Sequence, residues 1–223
     1  STPANRPRII AADLLITMAG DDPPVLRGAG VRIGADGRIA AVGPIDDIRR
    51  PGDDLHHYAD AVITPGLINA HTHLNLSYWA GRRDSLAGKP LHEWVVPILG
   101  EELIHDADAV AEAAADGAGR SLAAGVTTVV DITPAGHEWD AVLDAVDAVS
   151  IRRIALAETL GYGQRGNAMW NDALEAVGRA DERAARSDRL IGAGLSPHAP
   201  YSAERHIYER ALDQEAIANA NAE

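Results

Sequence analysis

The stretch Thr64-Pro65-Gly66-Leu67-Ile68-Asn69-Ala70-His71-Thr72-His73 leads an apolar run into two histidines that are two positions apart. Successive side chains of a β-strand point to opposite faces, so His71 and His73 are predicted to point to the same side. Two imidazoles on one side can bind a single metal ion, and neutral imidazole suits Zn²⁺ or Fe²⁺. The alternative is a surface His-x-His pair without a ligand role, because a short motif acquires meaning only from its context.

Downstream of this stretch, strand and helix patterns alternate. A helix is predicted over residues 106–124, with Gly125 as its C-terminal cap, and a β-branched strand over residues 126–132 that is apolar enough to be buried on both faces. Further strands are predicted over 151–160 and 190–196, and helices over 139–149, 172–186 and 203–218, with residues 161–166 as a βα loop. This alternation indicates parallel βα units, about four of them, whereas a closed (β/α)₈ barrel has eight.

The predicted fold class is therefore α/β, with a partial (β/α)₈ TIM barrel over residues 65–223. Four units leave two unpaired strand edges, which are a liability, so this part of the chain is predicted to be the first half of a larger barrel. The C-terminal ends of barrel strands form the face that holds active sites, and His71 and His73 are predicted to lie there.

Residues 1–64 are predicted to form a separate small β-module, because short apolar runs alternate there with Gly, Pro and Asp. The run over residues 8–17 indicates a strand, and residues 21–24 (DDPP) indicate a turn. The sequence Gly34-Ala35-Asp36-Gly37 lies between two further apolar runs, which is typical of a β-hairpin.

Composition excludes several classes of function. Twenty basic and 33 acidic residues give a formal charge of −13, which disfavours both nucleic acid and an anionic membrane surface as partners. Cysteine is absent, so disulfides and thiol catalysis are excluded, and a transition metal must be bound by His and carboxylates. No apolar run approaches the length of a membrane helix, and the N-terminus lacks an apolar signal core, so a cytoplasmic protein is predicted.

Three motifs resemble one known family. PGLINAHTH, residues 65–73, is similar to the signature of the amidohydrolase superfamily, which comprises metal-dependent hydrolases and deaminases built on a (β/α)₈ barrel. LSPHAPYS, residues 195–202, resembles the fourth-strand motif of the branch that contains chlorotriazine hydrolases, guanine deaminase and adenosine-type deaminases. AGVTTVVD, residues 124–131, resembles its second strand. Segments 71–77 and 90–94 are most similar to aminofutalosine-deaminase-like members, which more often carry Glu where this chain has Asn75.

This resemblance implies a hydrolase or deaminase that acts on a carbon–nitrogen bond, other than a peptide bond, of a nitrogen heterocycle such as an aminopurine nucleoside derivative. It implies a bound Zn²⁺, with Fe²⁺ as the alternative, that activates water as hydroxide. Carried over by position, His71 and His73 are metal ligands and His198 contacts the substrate. Loop residues after the predicted barrel strands are further candidates for substrate binding, namely Asn75, Trp94 and His137. The resemblance also implies that residues 1–64 form part of a composite β-sandwich.

The remaining functional residues of the family are a fifth-strand His with a Glu three positions later and an eighth-strand Asp. His206 and Glu209 have the first spacing, but they lie in the last predicted helix. The acid/base residues are therefore expected beyond residue 223, and the chain is expected to be inactive alone. Two alternatives stay open: a non-catalytic remnant that binds a ligand or partner, and one chain of a split hydrolase completed by a C-terminal chain. A homo-oligomer is also compatible with the sequence.

Overall fold

The computed structural model describes residues 6–20, 25–82, 87–102 and 105–220. It divides the chain into two compact units, residues 1–66 and residues 67–223. The predicted turn over residues 21–24 lies outside the described residues. Within the described residues, no helix is long and apolar enough to cross a membrane.

The first unit is a four-stranded mixed sheet with one short helix. Its elements are β1 (Arg8–Ile16), β2 (Val25–Ile33), β3 (Ile39–Pro44), α1 (Ile45–Ile48) and β4 (Asp54–Ile63). The strand order is β3-β2-β1-β4, with antiparallel pairing except between β1 and β4, which are parallel. The predicted hairpin is confirmed, because β2 and β3 flank a turn in which the Gly34 amide donates to the Arg38 carbonyl at 2.9 Å. Gly37 adopts φ +79°, a left-handed conformation that favours glycine.

The second unit alternates strands and helices around a parallel sheet. Its elements are β5 (Leu67–Thr72), a 3-10 helix (Leu74–Trp79), α2 (Leu91–Glu102), α3 (Ala107–Ala123), β6 (Val126–Pro134), α4 (Trp139–Asp147), β7 (Arg152–Thr159), α5 (Gly163–Ala184), β8 (Leu190–Pro197) and α6 (Arg205–Ala220). The four strands pair in the order β5-β6-β7-β8, all parallel. The prediction of an α/β fold with parallel βα units is confirmed.

Helix α3 shows why the local pattern predicted its ends. The Asp106 carboxylate accepts the Ala109 amide at 2.8 Å, which satisfies one of the free N–H groups of the first turn. Gly125 follows the C-terminal cap with φ +86°, so the chain reverses there without steric cost. Ala114 and Ala118 are fully buried in a core cluster that includes Val129 of β6. Small alanine side chains allow this helix to approach the sheet closely.

Helix α5 begins nine residues earlier than predicted, at Gly163 instead of residue 172. Residues 163–166, predicted as loop, form its first turn. Glu204, 41 positions along the chain, accepts the Gly163 amide at 2.8 Å and caps this turn. A tertiary contact therefore extends the helix into a glycine-containing segment that has low intrinsic helix propensity.

The loop predicted after the first barrel strand, around Trp94, is instead part of helix α2, which contains Pro97. Local signals after His73 gave no indication of this helix. The prediction for this segment was wrong.

The helices pack on one face of the parallel sheet. Ala155 and Ala157 of β7 are buried against Trp139 and Leu143 of α4 in one core cluster. Because strand side chains alternate, Leu156 and Glu158 point to the opposite face. This opposite face, at the C-terminal ends of the strands, carries the residues described next.

Candidate active site

His71 and His73 lie together at the C-terminal end of β5, where their ring centroids are 5.3 Å apart and the ring planes meet at 75°. A zinc ion bound at about 2.1 Å by one nitrogen of each ring would hold the two centroids about 5 Å apart at a tetrahedral angle. The observed spacing therefore fits two imidazoles that share one metal ion. Strand alternation places the rings on one side, as the i, i+2 spacing predicted.

The orientation of the His73 ring is set by a contact with the neighbouring strand. The ring is hydrogen-bonded to the backbone carbonyl of Ile132 on β6. Burial lowers the pKa of His73 below 6.5, and the nearby rings of His71 and His198 lower this pKa further. His73 is therefore neutral at pH 7. One ring nitrogen donates to Ile132, which leaves the lone pair of the other nitrogen for a metal.

His198 follows β8 directly and lies near enough to His73 to lower its pKa. Its backbone amide donates to the Thr159 carbonyl at 3.0 Å, which fixes it beside the end of β7. Its Nδ1 atom lies 2.6 Å from the Ser202 hydroxyl oxygen, so Nε2 is the ring nitrogen left for another partner. The rings of His198 and Tyr201 meet edge to face, with centroids 5.9 Å apart. His198 is exposed.

Two backbone contacts hold the loop after β8 against the loop after β7. The Gly161 amide donates to the Ser202 carbonyl at 2.6 Å, and the Gly163 amide donates to the Glu204 carboxylate at 2.8 Å. The two loops that flank His198 are thereby joined at the same end of the sheet.

The other predicted substrate-binding residues are placed differently. Asn75 is buried within the 3-10 helix that follows His73. His137 is exposed, and its Nδ1 atom lies 3.1 Å from the buried Glu138 carboxylate. Trp94 belongs to α2, and its side chain lies outside the described part of the structure. The structure therefore places the rings of His71 and His73 together, with His198 within electrostatic range of His73.

Sequence reasoning did not give a functional role to three buried charged residues of β6 and β7. Asp131 is predicted from the sequence to end the second strand with a structural role, and Arg153 and Glu158 are not singled out. Asp131 and Arg153 are each 1% exposed, and Glu158 is 8% exposed. Glu158 pairs in register with Ser196 on β8 and faces the same side of the sheet as Leu156. Charged residues within β-branched or apolar strands were the signal that could have identified them.

The donor set is incomplete within the chain as described. No group of three or more His, Cys, Asp or Glu residues that could hold a metal ion occurs in residues 6–20, 25–82, 87–102 and 105–220. Catalytic zinc normally keeps three protein ligands. A zinc site at His71 and His73 would therefore need at least one further donor.

A family model described as the amidohydrolase family matches residues 62–222. The chain belongs to the amidohydrolase family. Among curated proteins, it is 30% identical over 193 residues to the 5′-deoxyadenosine deaminase of Methanopyrus kandleri, covering 82% of this chain and 42% of that protein. It is 30% identical over 208 residues to the 5-methylthioadenosine/S-adenosylhomocysteine deaminase of Nitratidesulfovibrio vulgaris, covering 92% of this chain and 45% of that protein.

Solved structures of the same fold include aminofutalosine deaminase from Helicobacter pylori in complex with methylthio-coformycin. The TM-score is 0.71 at 20% identity, covering 95% of this chain and 49% of that one. Atrazine chlorohydrolase from Arthrobacter aurescens, complexed with zinc, has a TM-score of 0.72 at 20% identity, covering 95% and 51% of the two chains. The family resemblance of the three motifs is confirmed. The chain spans less than half the length of the two curated deaminases.

Proposed function

We propose that this amidohydrolase-family chain supplies the first two metal ligands and a substrate-binding histidine of a deaminase that acts on an aminopurine nucleoside derivative. The observation that carries this proposal is the 5.3 Å spacing of the His71 and His73 rings, beside His198, at the C-terminal end of a parallel sheet. The similar curated proteins are deaminases of 5′-deoxyadenosine, 5-methylthioadenosine and S-adenosylhomocysteine. These substrates share an adenine nucleoside, so hydrolysis of its exocyclic C–N bond is the proposed reaction.

Zinc is the proposed metal, and Fe²⁺ is the alternative, because both bind neutral imidazole. A bound zinc ion supplies hydroxide at neutral pH by lowering the pKa of a water to about 7. His73 is prepared for this role by its hydrogen bond to Ile132, which leaves one nitrogen to bind the metal. The zinc in the structure of atrazine chlorohydrolase supports the choice of metal.

His198 is proposed to orient the heterocycle. Its Nδ1 atom is engaged by Ser202, so Nε2 faces the substrate, either on a ring nitrogen or at the negative charge that develops during attack. Asn75, Trp94 and His137 are proposed as further contacts of the substrate pocket. The residues that move protons are proposed to come from outside residues 1–223.

Two apolar surfaces support the architecture proposed from the sequence. In the parallel sheet, Leu67 and Ile68 on edge strand β5 are 58% and 69% exposed, and Ile191 on edge strand β8 is 50% exposed. We propose that further barrel strands cover these edges, so that residues 65–223 form the first half of a (β/α)₈ barrel. In the first unit, Ile39 is 68% exposed beside an apolar groove, which supports residues 1–64 as part of a composite β-sandwich.

The presence of only two histidine ligands at the proposed site, within the described part of the chain, favours a second candidate function. A metal site with two ligands needs further ligands from additional sequence, from a complementing C-terminal chain or from another copy of this chain. Without completion it is a non-catalytic module that binds a heterocyclic ligand or a partner.

The deciding experiment compares the wild type with His71→Ala and with His56→Ala, which alters an exposed histidine of β4. Native mass spectrometry reports the zinc content and the mass of the assembly, and an ammonia assay with 5′-deoxyadenosine reports turnover. We expect zinc in the wild type and in His56→Ala, and none in His71→Ala. We expect ammonia only from an assembly that exceeds the 23.5 kDa mass of this chain.

Zinc retained by His71→Ala would reject the metal site. Nucleoside binding that is equally tight in the wild type and in His71→Ala, with no zinc in either, would favour the non-catalytic module. Ammonia released by the 23.5 kDa chain alone would show that no completion is needed.

A further inference from the structure

The carboxylate of Asp131 contacts the backbone immediately after the second histidine. Its Oδ1 atom accepts the amide of Leu74 at 2.9 Å. Leu74 is the first residue of the 3-10 helix and is itself buried. Asp131 belongs to β6 and is separated from Leu74 by 57 positions in the chain. The turn that ends β5 is thus held by a side chain of the neighbouring strand.

Arg153 holds this carboxylate from the other side. Its Nη1 atom lies 3.4 Å from Asp131 Oδ2, and both side chains are almost fully buried. Its Nη2 atom donates to the Leu143 carbonyl at 3.2 Å and lies 3.4 Å from the Asp147 carboxylate. The guanidinium therefore fixes Asp131 relative to α4. A buried ion pair adds little net stability compared with apolar packing, but it imposes a definite geometry.

The backbone pairing between β5 and β6 is not sufficient to hold the C-terminal end of β5 in place. The register is irregular between Asn69 and Thr72, the segment that contains His71. Two other contacts from β6 hold this end of β5. Ile132 accepts a hydrogen bond from the His73 ring, and Asp131, its neighbour in sequence, accepts the amide that follows His73.

We propose that Asp131, held by Arg153, is a positioning residue for the His71–His73 ligand pair, an inference that rests on the metal site proposed above. Asp131 anchors the backbone after His73 while Ile132 orients the ring. Together they hold His73 at the spacing from His71 that one metal ion requires. Partners that orient ligating histidines in this way typically change metal affinity about 10- to 100-fold when they are removed.

The test measures zinc affinity by competition with a chromogenic chelator, at a temperature where circular dichroism shows each protein folded. Asp131→Ala removes the acceptor for the Leu74 amide, and we expect zinc affinity to fall about 10- to 100-fold. Asp131→Asn keeps an acceptor oxygen but loses the pairing with Arg153, and we expect a loss of about 10-fold, at the lower end of such effects. Hydrogen exchange of the Leu74 amide should accelerate in both variants.

Ile207→Ala is the matched control, because Ile207 is buried in α6 and does not neighbour Asp131 or Arg153 along β6 or β7. It should lower stability and leave zinc affinity and Leu74 exchange unchanged. Wild-type zinc affinity in folded Asp131→Ala would overturn the inference. If that variant does not fold, wild-type affinity in Asp131→Asn would overturn it.

The same measurements separate this inference from the proposed metal site. Zinc binding that requires His71 but is insensitive to Asp131 overturns the positioning role alone. A wild-type protein that binds no zinc, or zinc binding that survives His71→Ala, overturns the metal site and the positioning role together.

Discussion

Arg32 and Asp53 form a two-point ion pair in the first unit, with Nε 2.8 Å from Oδ2 and Nη2 3.0 Å from Oδ1. The backbone amide of Arg50 donates to the same Oδ2 atom at 2.8 Å. The Asp53 side chain is 1% exposed. These contacts, with the Arg32 hydrogen bonds as the main cause, hold the pKa of Asp53 below 3.8. The pair ties the connection before β4 to strand β2.

Asp53→Asn is expected to lower the urea concentration at the midpoint of unfolding at pH 7. The variant should also show a smaller fall of this midpoint between pH 7 and pH 3 than the wild type. Because the pKa of Asp53 is lower in the folded state, the unfolded state binds more protons below pH 3.8. The stabilisation is therefore complete above this pH and is lost as pH falls through the folded pKa. Urea titrations at pH 7 and at pH 3 measure the effect. Asp46→Asn, an exposed acid of α1, is the control, and equal behaviour of the two variants would contradict the prediction.

Substitution of alanine is expected to change stability in opposite directions at Gly117 and Gly119 of α3. A Cβ atom at Gly117 would overlap the Ser77 hydroxyl of the 3-10 helix, whereas a Cβ atom at Gly119 meets nothing within 4 Å. Gly117→Ala is expected to destabilise by about 1–3 kcal/mol through overpacking. Gly119→Ala is expected to stabilise by about 0.5–1 kcal/mol, because alanine favours the helix. Thermal or urea unfolding measures both, and equal signs would show that α3 does not pack on the 3-10 helix as described.

Asp106→Ala is expected to destabilise the protein by about 1 kcal/mol, because it removes the side-chain cap of α3. The lost contact is the hydrogen bond from the Ala109 amide at 2.8 Å. Asp106→Asn should restore nearly all of this stability, since its side-chain oxygen also accepts the amide. Urea unfolding of the two variants provides the measurement. An Asn variant as unstable as the Ala variant would assign the loss to charge and not to capping.

His198→Ala is expected to leave zinc content unchanged and to lower kcat/KM about 100-fold, the effect of removing one hydrogen-bond donor at a developing charge. Its Nδ1 atom is engaged by Ser202, which leaves Nε2 for the substrate contact proposed above. The measurement combines metal analysis with ammonia release by the assembly that turns over. Loss of zinc in this variant would make His198 a ligand, and an unchanged kcat/KM would remove it from the site.

Local patterns predicted much of the second unit correctly. The strand over β6, the start of α3 near Asp106 and its C-terminal cap at Gly125 follow from interactions within a few residues. The start of α5 did not follow, because Glu204 caps it from a distant position. Helix α2 was also missed, because a proline such as Pro97 disfavours helix in the local sequence.

The order of amino acids was enough to predict the family, the alternation of parallel strands and helices, and the placement of His71 and His73 on one side of a strand. These features depend on residue identity and on the period of two along a strand. Packing of distant segments was needed to bring His198 within electrostatic range of His73, Asp131 onto the Leu74 amide, and Arg153 onto Asp131. Such contacts depend on which strands pair and in what register. A buried polar side chain acquires its partner only when residues far apart in the chain are packed together.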